Sequence, residues 1–354
     1  MMHMALDSST PPSHAAQPTA DRVRKSDDGD TMSAVVVTEF GGADLIGTTT
    51  HPVPHPDAAD EVLIKVTHAG VNFGDIASLN NGDNHIRKSS VLPYVPGSEV
   101  VGRRMDSGKR VIALCGHGGH AEYVLAPEDL VFDVPDEIDA ATALAVFVTG
   151  VTAWYLVYRS ARVEPGDHVL IQAAGGAVGA IAVQLATAAG ASVVGAASSP
   201  DRRAEARRMG ARAVTDSMAS DAIAQMRAAG PRQGFDVVMD CSGASTFSDS
   251  VNLLAPFGRA ILFGTPSGPP SPVPPAMLIA GSRSIGGFWL MDAFAQPEQI
   301  STVLDDLWAR VLDGSLRPLI GRTYRLDQAQ KAYESVAQRL SRGKVVLIPH
   351  GEDQ

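Results

Sequence analysis

The chain has 354 residues, 45% of them hydrophobic, with a formal charge of −10 and two cysteines. That is about two domains' worth of a globular protein with substantial cores, and its acidic balance disfavours a nucleic-acid or anionic-membrane partner. No run approaches the roughly 18 uninterrupted apolar residues of a membrane span, and Cys115 and Cys241, far apart and set among small residues, give no disulfide framework, so a reducing, cytoplasmic setting is expected.

Residues 1–32 are rich in Ser, Pro, Asp and His without apolar periodicity and read as a disordered tail. They hold no secretory-type apolar segment. Met32 directly precedes the first convincing strand and is an alternative start. From 33 to 149 short strands are punctuated by Gly and Pro: 34–40, 61–67, 98–101, 110–114 and 121–125. Such spacing indicates a compact, irregular β-rich domain. From 150 to 287 the texture changes. Strands at 169–171, 192–197, 213–215, 236–241 and 258–264 alternate with helical segments, including 200–209 and 220–229. Alternation of this kind means a doubly wound parallel sheet with helices on both faces, an α/β arrangement. A Pro-rich stretch at 265–275 interrupts it. In the last part, 288–354, helices at 297–313 and 327–340 precede a strand at 344–349 that is expected to return to the first domain.

One stretch carries the strongest functional signal. Val169, Leu170 and Ile171 form a buried-strand run, Ala173-Ala174-Gly175-Gly176 follows, and Val178, Ile181, Ala182 and Leu185 repeat at helical spacing up to Gly190. The turn fits A-x-G-x-x-G at Ala174, Gly176 and Gly179, a dinucleotide fingerprint with Ala for the first Gly. Gly176 keeps the backbone bare for a diphosphate, and Gly179 lets helix and strand lie close. The amides from Gly175 through Ala177 and Val178 offer donors at a positive helix end. After the next strand comes Ser198-Ser199-Pro200-Asp201-Arg202-Arg203, where NAD-specific proteins carry an acidic residue on the ribose. Hydroxyls of Ser198 and Ser199 and guanidinium groups of Arg202 and Arg203 suit a 2′-phosphate, which favours NADPH. The same residues also read as an N-cap with Pro at the first helical position and a solvated helix face, and the two readings are compatible.

Further motifs occur in a fixed order: Gly70-Val71-Asn72-Phe73-Gly74-Asp75, then 92–102 (LPYVPGSEVVG), Gly119-His120-Ala121-Glu122-Tyr123, the turn at 173–179, and Gly343-Lys344-Val345-Val346-Leu347. Together they resemble the medium-chain dehydrogenase/reductases, and within these the zinc-independent quinone oxidoreductases and related enoyl reductases. The resemblance implies a GroES-like β-rich catalytic domain, a Rossmann cofactor domain, an active site in the cleft between them, and a homodimer. Two features depart from the family pattern: Gly108-Lys109-Arg110-Val111 in place of Gly-Asp-Arg-Val, and a short stretch between Gly102 and Gly108. Where the alcohol dehydrogenase branch places zinc ligands, this chain carries Asn72, Ser98 and Ala145, so no metal is expected. Cys115, His117 and His120 have tolerable ligand spacing, but their glycine-rich setting reads as a solvated turn.

Without metal or activated nucleophile, the reaction implied is hydride transfer to an acceptor polarised by a carbonyl, a quinone or an enone/enoyl substrate, with the protein supplying position and hydrogen bonds. By resemblance Asn72 and Thr149 line the cleft and Asp75 orients its loop. As alternatives, Asn72 is a turn residue and Thr149 a helix cap. Tyr94 and Tyr123 are candidate proton donors or cleft wall, and solvent is a third proton source. Phe263, Gly264 and Phe288 match the family's nicotinamide walls, beside a plain core reading. Lys344 either reaches the cofactor or caps the terminal strand. Ala77, where many relatives carry an aromatic, implies a roomier cleft. A nucleotide-binding sensor without turnover is the competing function, an RNA binder is disfavoured by charge, and a zinc alcohol dehydrogenase is disfavoured by the missing ligands.

Overall fold

The structure, a computed structural model, describes residues 29–79, 91–244 and 246–349. Most of the expected tail, residues 1–28, lies outside them. Of the described part, Thr31 and Met32 belong to a strand: β1 (Thr31–Val37) pairs antiparallel with β2 (Ile46–Pro52), and Met32, read as tail, is 5% exposed. β2 carries no alternating apolar pattern because its residues 47–50 face solvent, so periodicity does not reveal it.

The β-rich part continues with β3 (Glu61–Val71), α1 (Phe73–Leu79), β4 (Glu99–Arg104), β5 (Arg110–Leu114), β6 (Tyr123–Pro127) and β7 (Val131–Asp133). β3 alternates inward Val62, Ile64 and Val66, each at most 4% exposed, which fixes which face meets the core. Next comes α2 (Ala140–Trp154), capped by Asp139, whose side chain accepts from the Thr142 amide at 2.9 Å. Ten of its fifteen residues are buried, so it shows no amphipathic stripe and escapes a periodicity reading. The run 140–160 is apolar enough to span a bilayer by composition, but it lies inside the protein against neighbouring helices. The domain change expected at 149–150 falls within this continuous helix, and Thr149 sits in its interior rather than capping an end.

The second part contains β8 (His168–Gln172), α3 (Ala177–Ala188), β9 (Ser192–Ala197), α4 (Pro200–Arg208), β10 (Ala213–Asp216), α5 (Ala222–Ala229), β11 (Phe235–Asp240), α6 (Thr246–Asn252), β12 (Leu254–Leu262), α7 (Pro275–Ile279) and β13 (Ser284–Gly287). All six strands are parallel, in the order β10-β9-β8-β11-β12-β13. Strand order reverses between β8 and β11, the place where doubly wound sheets open a crevice beyond their carboxyl ends.

The chain then runs through α8 (Leu290–Phe294), α9 (Pro297–Leu312), β14 (Ile320–Arg325), α10 (Ala329–Ala337) and β15 (Lys344–Ile348). β15 joins the first sheet, antiparallel to β3, completing the order β14-β15-β3-β4-β5-β7 with β6 also on β3. Its other neighbour is the parallel β14. One core cluster crosses both parts: Ile112 and Phe132 of the first sheet meet Phe147 and Val151 of α2, Ile171 of β8, and Leu307 of α9. Phe132, Phe147 and Phe294 contact one another at 5.3–6.5 Å between ring centres. α2 therefore forms the seam that joins the two parts.

Candidate functional site

The turn between β8 and α3 has three glycines with different reasons to exist. A side-chain carbon on Gly179 would lie 2.2 Å from the Ala173 carbonyl oxygen, and one on Gly175 would lie 2.4 Å from the Arg202 carbonyl oxygen. Both are demanded by packing of strand on helix and of turn on α4. A carbon on Gly176 would meet only Ala173 O at 3.2 Å and Arg202 Nη1 at 4.0 Å. Its bareness answers mainly to what approaches from outside. Gly176 also begins α3 without a side-chain cap, leaving the first-turn amides of Ala177, Val178 and Gly179 without intrahelical acceptors. The left-handed residue of the turn is Ala173, at φ +51°, while Ala174, the first fingerprint position, is fully buried.

At the end of β9, Ser199 caps α4, its hydroxyl accepting from the Arg202 amide at 3.4 Å, with Pro200 in the first turn. The two arginines diverge. Arg203 turns to the sheet, its Nη1 2.9 Å from Asp216 and 3.3 Å from the Ala197 carbonyl, so it holds β9 to β10. Arg202 leans over the turn. Its Nη2 donates to the carbonyls of Arg339 and Ser341 at 2.7 and 2.6 Å, while Nη1 stands near Gly176. Burial, and the positive charges of Arg339 and Arg342, lower its pKa. Arg342 in turn pairs with Asp201. Arg339 and Arg342 escaped the sequence reading because 137 or more positions separate them from Arg202. A Gly-Lys strand opening preceded by two arginines was the available signal.

The floor of the crevice is set by Asp240, fully buried at the end of β11. Its Oδ1 accepts from the Ser242 amide at 2.7 Å and its Oδ2 from Gln172 Nε2 and Ser250 Oγ at 3.0 and 2.7 Å. It thereby ties β8 to β11 at the strand-order reversal. Phe263 and Gly264 follow β12 beside this point, and the Phe263 amide donates to Asp240 O. Phe288 follows β13 and stacks on Tyr155 at 5.7 Å.

On the first sheet, β3 delivers Asn72 at the start of α1. Asp75 is buried and accepts the Asn72 amide hydrogen at 2.7 Å, which holds the start of α1 to it. The Asn72 side chain is held at both ends: Nδ2 donates to Glu99 Oε1 at 2.7 Å and Oδ1 accepts from Lys344 Nζ at 2.7 Å. Lys344, grouped with the cofactor residues by sequence, is 2% exposed beneath Asn72 and ion-paired to Glu99. Thr149 is 6% exposed, with its hydroxyl donating to Ala145 O at 2.5 Å inside α2. Tyr94 and Tyr123 are half-buried against core clusters.

The Cys115–His120 segment, expected as a solvated turn, is exposed at Gly116 and His117 but buried at its two ends. Cys115 and His120 are buried, and burial pushes the Cys115 thiol out of its ordinary range. His120 Nε2 lies 3.1 Å from the Gly70 carbonyl and Nδ1 lies 2.9 Å from the Tyr333 hydroxyl. A carbonyl only accepts, so Nε2 carries the hydrogen and Tyr333 donates to Nδ1. Among the described residues no group of three or more His, Cys, Asp or Glu could hold a metal ion.

The β-rich part matches the alcohol dehydrogenase GroES-like domain over residues 58–136, and residues 177–309 match the zinc-binding dehydrogenase model. The quinone oxidoreductase of Sus scrofa is 32% identical over 331 residues, covering 90% of this chain and 98% of that protein. A mycobacterial protein solved in complex with NADPH is 32% identical with a TM-score of 0.82, covering 90% of this chain and all of that one. The Thermus thermophilus quinone oxidoreductase, also solved with NADPH, is 31% identical with a TM-score of 0.77 over 90% of this chain and all of its own.

Proposed function

The chain belongs to the medium-chain dehydrogenase/reductases, in their quinone oxidoreductase-like branch, and from that premise we propose that it reduces a quinone or an α,β-unsaturated carbonyl with NADPH and without metal. The observation that carries the cofactor reading is Gly176, whose missing side chain is little used by the described residues of the protein itself, beside Nη1 of Arg202. Amides of Ala177 and Val178 would take the diphosphate, and Ser198, Ser199 and Arg202 a 2′-phosphate.

NADPH supplies a hydride when bound. The chain's own part is to hold the acceptor and receive its charge. The half-exposed Asn72 amide offers a donor to the acceptor oxygen, with Asp75 setting the loop. Thr149 already donates within α2, so its hydroxyl contributes shape and a lone pair rather than a free hydrogen. The second hydrogen of a reduced quinone comes from solvent, since the buried Tyr333 and His120 are engaged with each other. Asn72, Ser98 and Ala145 stand where zinc ligands would be and are not a zinc donor set.

The test is cofactor oxidation with 1,4-benzoquinones, enones and enoyl thioesters as acceptors. Turnover is expected within this panel and faster with NADPH than NADH. Tight NADPH binding with every acceptor inert would move the chain to the sensor reading.

A second copy is the partner this reading adds. β13 closes the parallel sheet with all four residues exposed. Ile285 on it is 41% exposed, while Phe257, bonded through its amide to Gly281, is 80% and Ile279 81% exposed. An apolar sheet edge is self-complementary to the same edge of another copy about a two-fold axis.

A further inference from the structure

The Lys344–Glu99 pair lies under Asn72 with both side chains at most 1% exposed, linking the first residue of β15 to the first residue of β4. Room for it is made by Gly70: a side-chain carbon there would lie 2.5 Å from Glu99 Oε1 and 2.6 Å from Lys344 Cε. Glu99 also accepts from the Val148 amide of α2 at 3.4 Å. Stability alone is a weak reason for such a pair, because well-packed apolar residues usually serve a buried position as well. Its geometry toward the amide is more specific. An ammonium only donates and a carboxylate only accepts, so just one of the two flips of Asn72 satisfies both neighbours. That flip leaves the second Nδ2 hydrogen with a long 3.4 Å approach to Ser98 Oγ, at a side chain that is half-exposed while Lys344 and Glu99 are not.

We propose that Lys344 and Glu99 are positioning residues that lock the Asn72 amide in one orientation and polarise it as a donor to the acceptor oxygen. The inference rests on the reductase reading above. The ammonium draws electron density through the amide and strengthens the N–H without entering the cleft. A donor already aimed needs no reorganisation as negative charge builds on the oxygen.

The test compares Asn72→Ala, the paired replacement Lys344→Met/Glu99→Met, and the triple variant, reading kcat with a benzoquinone, NADPH affinity and thermal stability. The paired replacement removes both charges together, so no buried charge is stranded. Both Asn72→Ala and the pair are expected to lower kcat on the order of 100-fold, with NADPH affinity held within about threefold, and the triple is expected to be no slower than Asn72→Ala. Losses that multiply in the triple overturn the inference, as does a pair replacement that melts earlier with unchanged kcat. If the pair replacement does not fold, Lys344→Gln carries the same comparison: it keeps an N–H toward Asn72 without the charge, and its loss must likewise vanish on top of Asn72→Ala. Wild type that turns over while the losses multiply sinks only this proposal. Wild type that reduces no acceptor sinks the reductase reading and this one with it.

Discussion

Arg202 donates to the Ser341 carbonyl at 2.6 Å, across 139 positions of sequence, and so fastens the start of α4 to the segment that enters β15 of the first sheet. The same residue opens α4 beside the Ser199 hydroxyl, where the 2′-phosphate is proposed to sit. Arg202→Ala is therefore expected to act twice. It raises the NADPH KM about tenfold more than the NADH KM, and it destabilises the fold by about 2 kcal/mol through two lost charged hydrogen bonds. Arg202→Lys keeps the charge but not the fork, and should recover only part of either effect. Steady-state kinetics with both cofactors and denaturant unfolding check this, and an equal KM rise for the two cofactors would remove the 2′-phosphate assignment.

Gly176 and Gly179 should separate ligand binding from folding. At Gly179 an added carbon meets a carbonyl oxygen at 2.2 Å, so Gly179→Ala is expected to lower the melting temperature sharply. At Gly176 the nearest atom is at 3.2 Å and φ is −89°, an ordinary value for alanine. Gly176→Ala should fold within about 1 kcal/mol of wild type yet bind NADPH at least roughly tenfold more weakly, because the new methyl stands where the diphosphate approaches. Calorimetry with NADPH and a melting curve decide it; unchanged affinity would mean the diphosphate lies elsewhere.

Ala173 at φ +51° is exposed and left-handed, a conformation that costs a non-glycine residue roughly 1–2 kcal/mol. Glycine relieves this but adds about 0.4–1 kcal/mol of unfolded-state entropy. Ala173→Gly should consequently leave stability unchanged or raise it by up to about 1 kcal/mol, while a β-branched residue such as Val lowers it. Denaturant midpoints measure the sign, and a clear loss in Ala173→Gly would contradict the assigned backbone.

The strand–turn–helix around Gly176 was legible because its demands are local: a buried run, a turn with no room for side chains, and an apolar face at helical period. Asn72 and Asp75 were legible through motif order. What stayed hidden depends on the fold's closure. Lys344 looked like a cofactor contact until β15 carried it beneath Asn72 to Glu99, 245 positions away. Arg203 looked equivalent to Arg202 until the parallel pairing of β9 and β10 put Asp216 beside it. α2 escaped because burial on nearly every side erases the amphipathic pattern, which made an interior residue, Thr149, resemble a cap.

The exposed edge at β13 makes a prediction about assembly. Ile285 is the apolar residue on the strand that two copies would share. Ile285→Lys places two like charges close together across a two-fold contact and is expected to convert a dimer into a monomer with its melting temperature little changed beyond the loss of assembly. Light scattering after gel filtration reads the mass, and a monomeric wild type at micromolar concentration would end the proposal.

His120 and Tyr333 set opposite limits on the pH range of the fold. Burial of His120, helped by the charge of Lys344 and opposed by Asp75, holds its imidazole below the ordinary 6.5, while burial and Asp75 hold the Tyr333 phenol well above 10.0. For His120 the unfolded chain takes up a proton before the folded one. The stability it supports is complete above pH 6.5 and is lost as pH falls from there toward the folded pKa. For Tyr333 the unfolded chain releases its proton first, so its contribution is complete below pH 10.0 and declines above. On the acid side the slope approaches about 1.4 kcal/mol per pH unit for one proton. His120→Gln keeps an amide N–H for the Gly70 carbonyl and an oxygen for the Tyr333 hydroxyl but cannot titrate. Urea unfolding at about pH 7.5 and about pH 5.5 should then show a smaller loss of stability in the variant than in wild type. Identical losses in the two proteins would place the acid sensitivity in other groups and leave the neutral His120 without a part in it.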